Sequence, residues 1–307
     1  MIVTVTLNPA LDRTVYVPDF RAGEVNRALS SQIDAGGKGI NVSKALKELG
    51  GESVACGLIG GQYGRTIKQY LKSVGIIYDF VDVVGETRVN IKIVDKHGVH
   101  TDINEPGFEV TESDLERLKE NISHYAKSGN IIVISGSLPP NFSVESYGEL
   151  CKIAAGASHF IVDAAGEALR ESLKYCPDYI KPNVAELEKT LGRKITTDKE
   201  IVEGARDLMA MGAKNVAVSN GAKGCIFVNP ERALRVKAPE VQVKGPVGAG
   251  DVMVAGIAHS IECDNDFESL ARFAVAAGTA SVTIEGTKMA SRRTVLSIFS
   301  QTTAEYI

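Results

Sequence analysis

Two rhythms of apolar residues run along the chain. Short, nearly unbroken apolar runs recur at 2–7, 53–59, 131–135, 160–163, 179–180 and 215–219, most of them closed by Gly, Pro, Asn, Asp or Ser. Runs of that length with such ends read as buried strands. Between them apolar residues return three and four positions apart: Val42, Ala45, Leu46 and Leu49; Ile67, Tyr70, Leu71 and Val74; Leu115, Leu118 and Ile122; Leu270, Phe273, Ala274 and Ala277. That spacing puts each set on one face of a helix. Gly50, Gly51 and Gly75 supply helix stops, and Thr111 with Asp114 makes a capping-box pattern. Strand and helix in alternation predict an α/β fold with a parallel sheet, whose ligands sit beyond the C-terminal ends of its strands.

The rhythm breaks in two places. Residues 14–33 are uneven, which leaves room for extra strands outside the main sheet. In 87–104, Val89, Ile91 and Ile93 alternate with Arg88, Asn90 and Lys92 before residues 95–98 turn the chain back toward Asn104. A period of two predicts a hairpin with one apolar and one polar face. The polar face either meets water or closes over a ligand. The expectation is therefore one domain, 1–307, with a small β lid drawn from about 12–34 and 87–105. No repeat, low-complexity tract or Pro/Ser linker divides it.

Composition narrows the partners. At 307 residues and 44% hydrophobic, the chain can bury a sizeable core. A formal charge of -4 without a long basic run gives no reason to expect nucleic acid or an anionic membrane. The five cysteines are odd in number and scattered, which fits a reduced, cytoplasmic setting. No apolar span is long enough for a bilayer.

Two glycine-rich stretches carry the candidate chemistry. In GPVGAGD, the amides of Gly248, Ala249, Gly250 and Asp251 can converge at a helix start as an anion site, with Asp251 placed to take a proton from a hydroxyl. The same residues also read as an ordinary turn with a helix-capping Asp. In GGKGINV, Gly37, Lys38 and Asn41 open a second helix, either as another anion site or as a tight turn with a solvated lysine. Neither stretch is a Walker loop or a GxGxxG dinucleotide fingerprint. Asp12 follows Asn8 and Pro9 at the mouth of the first strand, as a turn residue or a ligand contact.

Taken in order, TLNPALD, GGKGINV, TRVN, SGSLPP, KPNVAELE, VSNGAKG and GAGD resemble the ribokinase-like carbohydrate kinases of the PfkB type, from Ile2 to about Gly286. TRVNIKI, TDINEPGFEVT and GGKGINVSKALKELG are most similar to the branch acting on fructose 1-phosphate, then to the branch acting on tagatose 6-phosphate. The resemblance implies a three-layer α/β/α sandwich with a β-sheet lid, and transfer of a phosphoryl group from ATP, with Mg2+, to a phosphorylated ketohexose. It also implies a homodimer paired through the lid.

Carried over by position, the resemblance makes Asp251 the general base, and the amides of Gly248, Ala249 and Gly250 the cradle for the moving phosphoryl group. Asp12, Gly37 and Asn41 would hold sugar hydroxyls, and Arg27, Lys38, Arg88 and Ser137 would surround the sugar's own phosphate. Asn183 and Glu186 would hold Mg2+ largely through water, while Lys181, Asn183, Ser219, Gly221 and Gly224 would line the nucleotide side. Pro246 and Val252 stand where many such kinases have Thr and Ser, so hydroxyl contacts from those sites to nucleotide or a monovalent cation are absent. A non-catalytic sensor on this fold would be expected to lack Asp251 or the NxxE pair, and both are present.

Overall fold

The computed structural model describes residues 1–97, 99–245, 248–284 and 289–307. In chain order the first half holds β1 (Ile2–Thr6), β2 (Ala10–Tyr16), β3 (Ser30–Gly36), α1 (Lys38–Leu49), β4 (Ser53–Gly60), α2 (Gly61–Ser73), β5 (Ile77–Val83), β6 (Arg88–Val94), β7 (His100–Asn104) and α3 (Glu112–Tyr125). There follow β8 (Ile131–Ser135), α4 (Val144–Ala154), β9 (His159–Asp163), α5 (Gly166–Leu173), β10 (Tyr179–Ile180), α6 (Val184–Leu191) and α7 (Asp198–Ala210). The chain closes with β11 (Asn215–Ser219), β12 (Cys225–Val228), β13 (Ala233–Lys237), α8 (Ala249–Glu262), α9 (Phe267–Val282), α10 (Arg292–Phe299) and β14 (Thr303–Tyr306).

Ten strands make the main sheet in the order β14-β13-β12-β11-β10-β9-β8-β1-β4-β5. From β11 to β5 neighbouring strands run parallel, and β12, β13 and β14 add an antiparallel edge. The edge went unread in the sequence because its strands are short, and Lys237, Glu305 and Tyr306 leave no clean period of two. Side chains of each buried strand alternate between two faces. Ile132, Ile134, Phe160, Val162, Val216 and Val218 pack with Leu118, Leu150, Leu169, Leu187 and Leu208 of the helices α3 to α7. Ile131, Val133, Ile161 and Ala217 pack on the opposite side with Leu46, Val254, Ile257, Leu270 and Ala274 of α1, α8 and α9. Helices on both faces of a mostly parallel sheet make this a three-layer α/β/α sandwich. Among the described residues no helix is long and apolar enough to cross a membrane.

A second sheet, β3-β2-β6-β7, stands apart from the first and draws on the two irregular segments. β2 pairs antiparallel with β3 and parallel with β6, and β7 returns antiparallel to β6. Register puts Asp12 beside Asn90 and Asp34, on the face opposite Leu11, Val89 and Ile91. Asp12 is thus a strand residue, not a turn residue: Leu7 and Asn8 make the bend, and after Pro9 the chain is extended again from Ala10. The turn of the β6–β7 hairpin includes Gly98, which lies outside the described residues.

Candidate active site

Sheet order reverses at β1, since β4 lies on one side of it and β8 on the other. Crevices at such a point collect ligands because the loops leaving neighbouring strands part in opposite directions. Here the C-terminal ends of β1, β8, β9 and β10 deliver Asn8, Ser135 to Ser137, Asp163 and Lys181, and the helix starts of α1 and α8 arrive from the same side.

Both helix starts are open. Gly248 takes the left-handed φ of 82° that turns the chain into α8, and no side chain among the described residues caps the amides behind it. Gly37 precedes α1 with a φ of 111°, again without a side-chain cap. Thr111, Ser143, Asn183, Thr197, Asp266 and Ser291 cap α3, α4, α6, α7, α9 and α10, whereas Gly60 and Ala165 leave α2 and α5 without a cap of their own, the Glu86 carboxylate accepting from the first amides of α2. Uncapped N–H groups at the positive end of a helix dipole are suited to a phosphate. The loop residues Pro246 and Val247 lie outside the described residues, and so does the structure of the Pro246 departure; Val252, in the first turn of α8, is buried in the core that α8 shares with α1 and α9.

Asp251 occupies the first turn of α8 and is buried, 7% exposed. Burial, with the nearby Asp163 carboxylate, pushes it up to about 6 against the pull of an Asn41 hydrogen bond and of Lys38 and Lys181. Asn41 Nδ2 donates to Asp251 Oδ2 at 2.8 Å. Asp163, absent from the sequence-derived site, stands 1% exposed between two cations: Lys38 Nζ at 3.3 Å from Oδ2 and Lys181 Nζ at 3.4 Å from Oδ1. Burial raises the Asp163 carboxyl, yet Lys181 and Lys38 outweigh it and hold the group below its ordinary value. Burial likewise lowers the Lys38 ammonium, but Asp163, Asp251 and Glu186 outweigh it and hold the group above its usual range.

On the small-sheet side, Arg88 donates from Nη2 to Ser137 Oγ and to the Asn8 carbonyl, each at 3.2 Å, and from Nη1 to the Glu105 carbonyl. Asn90 Nδ2 donates to Asp12 Oδ1 at 3.0 Å, and the Asp12 carboxylate lies so close to Gly36 that any Cβ there would collide with it. Arg88 and Ser137 therefore come together, whereas Lys38 turns to Asp163 and the exposed Arg27, on the β2–β3 connection, makes no hydrogen bond or ion pair with the described residues. Buried side-chain atoms without partners among the described residues gather at this crevice: Thr6 Oγ1, Asn8 Oδ1, Asn41 Oδ1, Arg88 Nε and Asn90 Oδ1. Buried polar atoms are ordinarily satisfied, so such a cluster marks where a polar ligand belongs.

Asn183 and Glu186 form a capping box at α6: Glu186 N donates to Asn183 Oδ1 and Asn183 N donates to Glu186 Oε2. Glu186 Oε1 takes no hydrogen bond from the described residues. One open carboxylate oxygen fits Mg2+, which keeps most of its waters and binds through one or two carboxylates and substrate phosphates. Among the described residues no three His, Cys, Asp or Glu side chains converge to hold a metal by themselves. Ser219 forms a bridge with Asn183, Gly221 opens a single 3-10 turn, and Gly224 follows it, so these flank the crevice beyond Lys181.

A family model described as pfkB family carbohydrate kinase matches residues 5–293. The 1-phosphofructokinase of Rhodobacter capsulatus is 39% identical over 278 residues, 90% of this chain and 88% of that protein. That of Borreliella burgdorferi is 36% identical over 282 residues, 92% of this chain and 91% of the other. The crystal structure of phosphofructokinase-2 from Escherichia coli in complex with fructose-6-phosphate superposes with a TM-score of 0.91 at 31% identity, over 97% of this chain and 98% of that one.

Proposed function

Since the chain belongs to the pfkB family of carbohydrate kinases, phosphotransferases with an alcohol group as acceptor, we propose that it transfers the γ-phosphoryl group of ATP to fructose 1-phosphate, giving fructose 1,6-bisphosphate. The observation that carries the chemistry is the buried Asp251 carboxylate beside the uncapped amides of α8. The relatives named 1-phosphofructokinase support the choice of sugar.

A sugar hydroxyl is a poor nucleophile at neutral pH. Asp251 accepts its proton as the oxygen attacks the γ-phosphorus, and a carboxyl lifted to about 6 is a stronger base than an ordinary one while still ionised at pH 7. The amides of Gly248, Ala249 and Gly250 meet the charge that spreads over the outer phosphoryl oxygens, without reorganising. Lys38 and Lys181, held on either side of Asp163, add fixed positive charge along the path of the group. Glu186 and Asn183 would hold Mg2+, which would supply charge neutralisation on the nucleotide phosphates. Lys181, Asn183, Ser219, Gly221 and Gly224 form the nucleotide side.

Arg88 and Ser137 bind the sugar's own phosphate, and Asp12, Gly37 and Asn41 its hydroxyls. The small sheet acts as a lid, excluding water that would otherwise take the phosphoryl group. Its outer face leaves Ile33 and Ile103 half or more exposed, which supports pairing of two copies through the lid. Fructose 6-phosphate is a second reading, favoured by the likeness to phosphofructokinase-2. A coupled ATPase assay across fructose 1-phosphate, fructose 6-phosphate, tagatose 6-phosphate and free fructose decides: the highest specificity constant falls to fructose 1-phosphate, and any other order overturns the assignment.

A further inference from the structure

Asn41 and Asp251 come from helices at opposite ends of the chain, yet their side chains meet at 2.8 Å in a buried site. Both mounts are stiff. Asn41 lies in the first turn of α1, its amide bonded to the Gly37 carbonyl, and Asp251 lies in the first turn of α8. The two helices share one core through Val42, Ala45 and Leu46 on one side and Val254, Ala255 and Ile257 on the other. Only one orientation of the carboxamide suits this contact, because Oδ1 turned toward a carboxylate oxygen would repel it. Nδ2 therefore faces Asp251, which leaves Asn41 Oδ1 as a buried acceptor without a partner among the described residues.

We infer that Asn41 is a positioning residue for the phosphoryl-transfer step: its Nδ2 fixes and occupies Asp251 Oδ2, so that Oδ1 is the oxygen that takes the proton of the acceptor hydroxyl. The inference rests on Asp251 being the base. The free acceptor on Asn41 gives the same carboxamide a place for a sugar hydroxyl, so that a correctly seated sugar and a correctly turned base are secured by one side chain. Charged groups around Asp251 are Lys38 and Lys44 from α1, Asp163 from β9 and Lys181 after β10. Against that fixed background the Asn41 bond favours the ionised base.

The test is the pH profile of kcat for wild type, Asn41→Ala and the isosteric Asn41→Asp, with saturating ATP and fructose 1-phosphate. Loss of the bond in Asn41→Ala moves the acidic limb up by about one pH unit, and the second carboxylate of Asn41→Asp moves it further. A role confined to holding sugar or structure raises KM or lowers the melting temperature and leaves the limb where it was. An acidic limb at the same pH in all three proteins overturns the positioning role alone. Asp251→Asn, run alongside, isolates the underlying reading: near wild-type turnover in that variant overturns the base assignment instead.

Discussion

Lys181 Nζ lies 3.4 Å from Asp163 Oδ1 at the floor of the crevice, with 6% and 1% of the two side chains exposed. A pair so deeply buried is costly to break, because Asp163 keeps its desolvation cost with the more exposed Lys38 as its one remaining cation. Lys181→Met is expected to lower unfolding stability by about 3 kcal/mol, read from the urea midpoint. Lys38→Met removes the other cation, whose side chain is 39% exposed, and the loss there is smaller because water already screens it.

Asp251 makes an opposite prediction for stability. Its carboxyl rises from 3.8 to about 6 on folding, so the folded state binds the proton more tightly than the unfolded chain. Stability is then lost as pH climbs through that window, in all about 3 kcal/mol, and stays lost above it. Asp251→Asn carries no such charge. Its advantage over wild type in the urea midpoint should be small near about pH 4 and full by about pH 7; equal differences at both would contradict the buried, lifted carboxylate.

Arg88 tests the phosphosugar side. A charge-assisted bond contributes roughly 1.5 to 3 kcal/mol, so Arg88→Ala should lower the specificity constant for fructose 1-phosphate by about ten- to a hundred-fold while changing the KM for ATP little. Steady-state kinetics with each substrate varied in turn checks this. Wild-type use of free fructose as readily as the phosphorylated sugar would remove Arg88 and Ser137 from phosphate recognition.

Much of this was legible in the residues. Apolar runs and helical periods located the parallel strands and the helices of the core, because burial leaves a strong mark on sequence. The alternation at Val89, Ile91 and Ile93 announced the hairpin of the second sheet, while residues 14–33 only left room for further strands. Asp12 was harder, since Asn-Pro before it fits a turn as well as a strand entry. Asp163 was passed over because a single acid at a strand end has no pattern of its own; only the fold brings Lys38 and Lys181 to it from distant parts of the chain. The spacing of Asn183 and Glu186 suggested a metal role and not the capping box they form, because the same three-residue spacing fits both.

One variant separates the observed cap from the proposed metal role. Glu186→Gln keeps an oxygen to accept from the Asn183 amide, so α6 should stay capped, with an unchanged urea midpoint. The Mg2+ dependence of rate at fixed ATP should move to higher concentration, as second-sphere ligands tune affinity about ten- to a hundred-fold. An unmoved curve would return Glu186 to a capping role alone.

The most direct measurement is turnover of purified Asp251→Asn with ATP, Mg2+ and fructose 1-phosphate, set beside the binding of both substrates. Loss of the general base should lower kcat by about two to four orders of magnitude with binding retained. A variant that binds and turns over like wild type would contradict the mechanism.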